Sequence, residues 1–448
     1  MIRRHRLVIP ALLAAAVAAI PVVATADAQL QQTVLANGAR LIVEEDHSAP
    51  VAIIEVWLKV GGRDEVPGKT GLAHVFEHMM FNGSEKLKPG EFSRRIAAMG
   101  GNDNAFTSTD FTAYFETVPA ARIDEVMGME AERFGHLRLD PKVFAREIKV
   151  IMEERRMRTD DDPNSRMFEE LSAVALRLSP YRNPVIGWMQ DLKHLDIDDV
   201  RAFYKAHYIP GNATVVVVGD VDFAHLKRTF AHTFGRLKAR PVPARFDPVE
   251  PEPLGPKRLS VRLPGVQLPM MVVAMPVPVW HPGKNDNEAA AIAVATELLS
   301  GGESALLSRE LVDRQRTAFS TGAGYDPFGM GVDLWYAYGM LGPKQAPKAF
   351  ERSFWKLVSG LQKNGVDAAR LAAAKRRIIA DEVFAQDSLY LRAKQIGEME
   401  TVGIGAEHRD DWLAAIRRVR DADVQRVLQR WIRPERSTTG LLQPEVKS

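Results

Sequence analysis

Two histidines stand four residues apart in the stretch LAHVFEHMMFN at 72–82: His74 and His78, with Glu77 between them. On a helix, positions i, i+3 and i+4 share one face, so both imidazoles can reach one metal ion with the carboxylate beside them. Neutral imidazole nitrogens bind zinc at about 2.0–2.1 Å, and a catalytic zinc takes one further protein ligand and leaves a position open for water. Glu77 adjoins His78 and cannot easily ligate alongside it. Its expected task is to accept a proton from the attacking water. The pattern is the common His-Glu-x-x-His zinc motif written in reverse. A helix that merely carries two exposed histidines fits poorly, because Leu72, Ala73, Val75, Phe76, Met79, Met80 and Phe81 make the surroundings apolar. Polar groups buried there need partners.

The third ligand is expected from an acidic residue on a later helix. Residues 123–138 offer Glu130 and Glu132; residues 142–158 offer Glu147, Glu153 and Glu154. Phe144, Glu147, Ile151 and Glu154 recur at i, i+3, i+7 and i+10, which puts two carboxylates in an apolar, inward-facing stripe. Such carboxylates need a cation or hydrogen-bond donors. Glu153 points about 100° away around the helix. Glu154 is therefore the expected ligand, with Glu147 behind it.

The elements that must position these groups are legible in outline. Two apolar runs flank Asn37-Gly38, a hairpin signal. A buried strand is expected over 50–60, followed by the Gly61-Gly62 turn, a loop over 63–70 and the helix of the motif. Residues 92–99 read as a short amphipathic helix ending at Gly100-Gly101. The alternation in NAFTSTDFTAYFETVP at 104–119, rich in Thr, Phe and Tyr, reads as a strand pair. A helix is expected over 199–206, a buried strand over 213–218 and a further helix over 223–237.

At 448 residues the chain exceeds one compact core, so two or more domains are expected. The clearest linker is 240–256, RPVPARFDPVEPEPLGP, with six prolines. Beyond it the plan repeats in weaker form. A strand is expected over 270–275, a helix over 288–299, Gly301-Gly302 before 304–315, strands within 319–342 and helices in the C-terminal part. This reads as an internal duplication. No second His-x-x-Glu-His occurs, and His281 stands alone. Tyr325, Tyr336 and Tyr338 could touch substrate but fit sheet core better.

The N-terminus has the form of a secretory signal peptide over 1–28. Arg3, Arg4 and Arg6 precede an apolar run over 7–23, and small-residue cleavage points follow Ala26 and Ala28. Periplasmic export is the expectation, with no stable membrane span after cleavage. The chain has no cysteine, hence neither a disulfide framework nor a lipidated N-terminal Cys. The formal charge of +2 falls to −1 when cleavage after Ala26 removes three arginines, and to 0 when Asp27 is removed as well. Near neutrality gives no case for nucleic acid.

These residues together resemble the pitrilysin/insulinase-type zinc metallopeptidases, family M16, in particular the two-domain bacterial and mitochondrial-processing-peptidase-like members. The resemblance rests on HVFEH at 74–78 with Glu154 seventy-six residues past His78, and on GGNDNAFTSTDFTAYFE at 100–116 and FAREIKVIMEE at 144–154. PYRNPVIGWMQDL at 180–192 and YIPGNATVVVVGDVD at 208–222 extend it. It implies an α+β fold of two related αβ domains, each a mostly antiparallel sheet covered by helices: 29–239 with the metal site, and 257–448 without one. It implies one Zn2+ per chain held by His74, His78 and Glu154, with Glu77 as general base and Glu147 supporting the ligands from behind. Asn104 and Ala105 match the edge strand on which such enzymes lay out a peptide by β-augmentation. Ser179 stands where many relatives have His, and Leu306 where they usually have Arg.

The expected function is a zinc-dependent endopeptidase acting on peptides or unfolded polypeptides in an enclosed chamber. The alternative is a catalytically weak or silent scaffold subunit, although such subunits usually lose part of the metal motif. The family's chamber has two halves, each the size of this chain. The resemblance therefore implies a second M16-type subunit, and the Leu306 departure favours a heterodimer over a homodimer.

Overall fold

The computed structural model describes residues 30–445 apart from Asn285 and Glu303, so the expected signal peptide lies outside the described residues. The first half contains β1 (Gln31–Val34), β2 (Arg40–Glu45), β3 (Val51–Leu58), α1 (Leu72–Met79), α2 (Glu91–Ala98), β4 (Asn102–Thr107) and β5 (Thr112–Pro119). It continues through α3 (Ile123–Gly135), α4 (Pro141–Arg155), α5 (Pro163–Ala175), the short α6 (Met189–Leu192), α7 (Ile197–His207), β6 (Ala213–Gly219) and α8 (Phe223–His232). The second half contains β7 (Lys257–Leu263), β8 (Met270–Pro278), α9 (Asp286–Ser300), β9 (Ser320–Gly324) and β10 (Val332–Met340). Helices α10 (Pro347–Asn364), α11 (Ala368–Ala385), α12 (Leu389–Thr401), α13 (Arg409–Arg418) and α14 (Asp421–Arg430) precede the last strand, β11 (Thr438–Pro444).

The strands form two sheets of one design. The first has the order β1-β2-β6-β3-β5-β4 and the second β7-β11-β8-β10-β9. In the first, β6 runs parallel to β2 and antiparallel to β3; in the second, β11 stands in the same relation to β7 and β8. The remaining pairs are antiparallel. The five strands of the second sheet follow the order and directions of β2-β6-β3-β5-β4, with β1 the first sheet's extra edge strand, and this is the duplication the sequence outlines. Strands β7 and β11 were not foreseen, and the C-terminal helices close on a strand.

The α+β expectation holds, with an addition. One face of the first sheet packs under α1, α3 and α7 through Val56, Leu58, Val75, Phe76, Val126, Val200 and Val217. The opposite face, carrying Ile42, Ile53, Trp57, Val216 and Val218, is covered by α12 from the second half, through Ala393, Ile396 and Met399. In return, α5 from the first half sets Met167 and Leu171 against Met270, Val272, Ala274 and Leu442 of the second sheet. The halves exchange helices. Gly397 of α12 lies so close to Trp57 that a methyl group there would overlap the indole.

The Pro-rich run has neither helix nor strand over 238–253, yet it is pinned along its length. Arg245 donates to Asp64 (2.7 Å) and to the Asp110 carbonyl (2.7 Å). Asp247 accepts from the buried Arg63 (3.2 Å), and Glu250 accepts the successive N–H groups of Arg177, Leu178 and Ser179 (2.7–2.9 Å). Among the described residues no helix is long and apolar enough to cross a membrane.

Candidate metal centre

The helix carrying the motif is held at its start by two devices. Gly71 precedes it with φ +91°, and a Cβ there would run into the Ile186 carbonyl and Gly187, so glycine is required on both counts. The first N–H groups of a helix have no partner within it. Here the buried carboxyl of Glu65 accepts from Gly71 and Ala73, each at 2.8 Å. Phe76 anchors the opposite face against Tyr208, with ring centres 3.9 Å apart.

His74, His78 and Glu154 converge, and they are the one group among the described residues whose ligand atoms lie mutually close enough for a metal ion, within 4.8 Å of one another. Glu154 Oε2 is 3.4 Å from His78 Nε2 and 3.9 Å from His74 Nε2. Both lengths exceed the roughly 2.7–2.9 Å of a charge-assisted hydrogen bond. The first is near the roughly 3.4 Å edge of a tetrahedron with 2.0–2.1 Å bonds. Burial, then the neighbouring His78 and Arg158, hold His74 neutral by pushing its pKa down to about 3. Its Nδ1 is buried with no hydrogen-bond partner among the described residues. A neutral imidazole, a second imidazole and a carboxylate facing one another without hydrogen bonds fit a zinc ion.

The acids of helix α4 differ in where they point. The Glu154 side chain is 14 % exposed and turns inward, whereas Glu153 is 73 % exposed and pairs with Arg156. Glu147 lies behind His78, its Oε2 3.6 Å from Nδ1, and its other oxygen is held by Arg146 at 2.9 Å. Glu130 is elsewhere, buried with Arg133 and Glu116, and Glu132 accepts from Ser84 and the Lys86 N–H.

Glu77 faces the same cavity, of about 800 Å³, lined also by His74, His78, Glu154, Val150, Met157 and Asn104–Thr107 of β4. Burial raises its pKa, opposed by a hydrogen bond from Thr107 (Oγ1 to Oε2, 2.5 Å). Strand β4 ends the sheet order, so one side of it is open. Ala105 N–H donates to Asn104 Oδ1 (2.9 Å). A second cavity, about 560 Å³, reaches Asn104, Ala105 and Phe106 from the side of the second half, where Asp326, Asp333, Tyr390, Lys394 and Glu398 line it.

Three residues of the site escaped the sequence reading. Thr107 sits in the Thr-rich stretch 104–119 and looks like any other threonine there. Glu65 looks like a loop charge. Arg158, whose Nη1 holds Glu154 Oε1 at 2.9 Å and so leaves Oε2 to the imidazoles, carried a readable signal: a Glu–Arg pair at i, i+4. Tyr336 and Tyr338 pack on the second sheet and Tyr325 donates to the Pro278 carbonyl, as core tyrosines do. Leu306 is buried in the second half's core.

The duplicated sheet-and-helix chain thus carries one reversed zinc motif, on α1 of its first half. Residues 40–188 match the model described as Insulinase (Peptidase family M16), and 194–378 match Peptidase M16 inactive domain. The chain belongs to the M16 family. It is similar to the zinc protease PqqE of Helicobacter pylori, 29 % identical over 425 residues spanning 92 % of this chain and 93 % of that one. The crystal structure of a protease from Helicobacter pylori superimposes with a TM-score of 0.87 at 28 % identity, over 93 % of this chain and all of that one. The periplasmic protease PqqL of Escherichia coli shares the fold (TM-score 0.77, 16 % identity), with 93 % of this chain matching 48 % of that longer one.

Proposed function

We propose that this chain is a zinc-dependent endopeptidase that hydrolyses peptides or unfolded polypeptides laid along β4 as an added strand. The observation that carries the reading is the convergence of His74, His78 and Glu154 beside Glu77, within one cavity that also opens onto the free edge at Asn104 and Ala105. Zinc held by His74, His78 and Glu154 supplies Lewis acidity for the scissile carbonyl and for water. The chain's own groups do the rest. Glu77 accepts the proton of the attacking water and passes it to the leaving amine. Arg158 fixes the orientation of Glu154, and Glu147, 3.6 Å behind His78 Nδ1, supports that ring electrostatically. The backbone groups on the open edge of β4 align the substrate main chain, the Ala105 N–H exchanging its bond to Asn104 Oδ1 for one to the peptide, which makes sequence selectivity loose.

The proposal extends to setting and partner. The basic and apolar N-terminal segment supports export to the periplasm. A likeness to about half of a longer protease fold supports a chamber completed by a second M16-type subunit, and Leu306 favours a different chain over a second copy. The test is hydrolysis of a quenched-fluorescent peptide with and without chelator, by wild type and Glu77→Gln, alone and with the co-purifying partner. Chelator-sensitive turnover that falls about 10²–10⁴-fold in Glu77→Gln, with zinc content unchanged, is expected. Near-wild-type turnover in that variant refutes the assignment. Inactivity of the wild type under all conditions identifies a silent subunit.

A further inference from the structure

The Thr107–Glu77 contact joins two parts of the site that the proposed chemistry treats separately: the strand that receives substrate and the base that activates water. Thr107 is the last residue of β4, paired with Thr112 of β5, so sheet pairing fixes its backbone. Its hydroxyl lies 2.5 Å from Glu77 Oε2. No other hydrogen bond to the Glu77 carboxylate occurs among the described residues. A glutamate with three rotatable bonds and one anchor takes its orientation from that anchor. A hydroxyl has a single proton, and donating it to Oε2 occupies the lone pair that faces the strand. Oε1 stays free to accept a proton from the cavity side.

We propose that Thr107 is the positioning residue for the general base: its hydroxyl proton fixes the Glu77 carboxylate so that one oxygen is presented to the attacking water. Thr107 itself takes no part in bond making. Because it ends the strand on which substrate is laid, peptide register and base orientation share one rigid element. The proposal rests on the peptidase reading, and its test has one arm that does not need activity.

That arm is structural. Crystal structures of metal-free Thr107→Val and Thr107→Ser are compared with wild type. Valine keeps the shape and removes the donor; serine keeps the donor. Glu77 should leave its wild-type rotamer in Thr107→Val and retain it in Thr107→Ser. An unmoved carboxylate in Thr107→Val overturns the proposal whether or not the protein proves to be a peptidase. The kinetic arm measures kcat, KM and bound zinc. The loss of one hydrogen bond to a charged group predicts a fall in kcat of roughly 10- to 100-fold in Thr107→Val, with KM and zinc content unchanged and serine restoring most of it. A rise in KM at constant kcat, or loss of zinc, overturns it, since Thr107 would then serve the strand or the metal. A double-mutant cycle closes the test. On the residual activity of Glu77→Gln, adding Thr107→Val should have little further effect, and a second full-sized loss refutes action through the base.

Discussion

Replacing Glu55 with Gln should flatten the pH dependence of stability. Glu55 lies on β3 on the face shared by Ile53 and Trp57, turned toward α12. One of its oxygens accepts Trp57 Nε1–H at 2.7 Å and the other, buried, has no partner among the described residues. Burial pushes its pKa up from 4.5 to about 8, opposed by the Trp57 hydrogen bond and by Lys394. An acid raised in the folded state keeps its proton there and gives it up in the unfolded chain. Its contribution is fully present below the unfolded value near 4.5 and is lost as pH rises through about 8. Each pH unit in that window is worth about 1.4 kcal/mol, so Glu55 lowers stability by at most ~5 kcal/mol between the two ends. Glutamine is neutral throughout and removes this slope. Glu65, Glu398 and Asp333 are raised in the same direction and remain in both proteins, so the difference between profiles isolates Glu55. The assay is denaturant unfolding at steps from pH 5 to pH 9 in chelator, which removes metal linkage. The variant should gain on wild type as pH rises; parallel profiles refute the reasoning.

Gly397→Ala should destabilise by about 1–3 kcal/mol, since its methyl must displace the Trp57 indole; equal denaturation midpoints would show that α12 yields freely. Ala105→Pro should raise KM for long peptides with zinc content unchanged, because proline at the open edge cannot donate to an added strand, and an unaltered KM speaks against strand addition. Glu65→Ala leaves the Gly71 and Ala73 N–H groups unpaired and should cost about 2–4 kcal/mol, read as a lower Tm of the metal-free protein; an unchanged Tm would mean water replaces the carboxyl.

What could be read from sequence was what depends on local periodicity. The i, i+3, i+7, i+10 stripe on α4 identified Glu147 and Glu154 as inward and Glu153 as outward, because helical geometry fixes those directions whatever lies opposite. The Asn37-Gly38 turn and the alternation through β4 and β5 were legible for the same reason. Helix exchange was not. An apolar face on α5 or α12 announces burial without saying which sheet it covers, and the partner surfaces lie far off in sequence, β8 for α5 and β3 for α12. Strand β11, TTGLLQP, contains both Gly and Pro and shows no clear alternation; its place comes from pairing with β7 and β8 on either side. Thr107 and Glu65 work through single long-range contacts, which leave no periodic trace.

The exchanged helices also govern the order in which this molecule can be made. The first sheet's strands are complete once β6 has emerged at Gly219, yet the face bearing Ile42, Ile53, Trp57, Val216 and Val218 stays bare until α12 begins at Leu389. Whether the chain is delivered from the ribosome or across a membrane, that surface stays open until the whole span from 219 to 389 has followed. A fragment ending in the Pro-rich run would never close it. The half bearing the metal site is therefore not an independent module that could be transplanted or secreted alone.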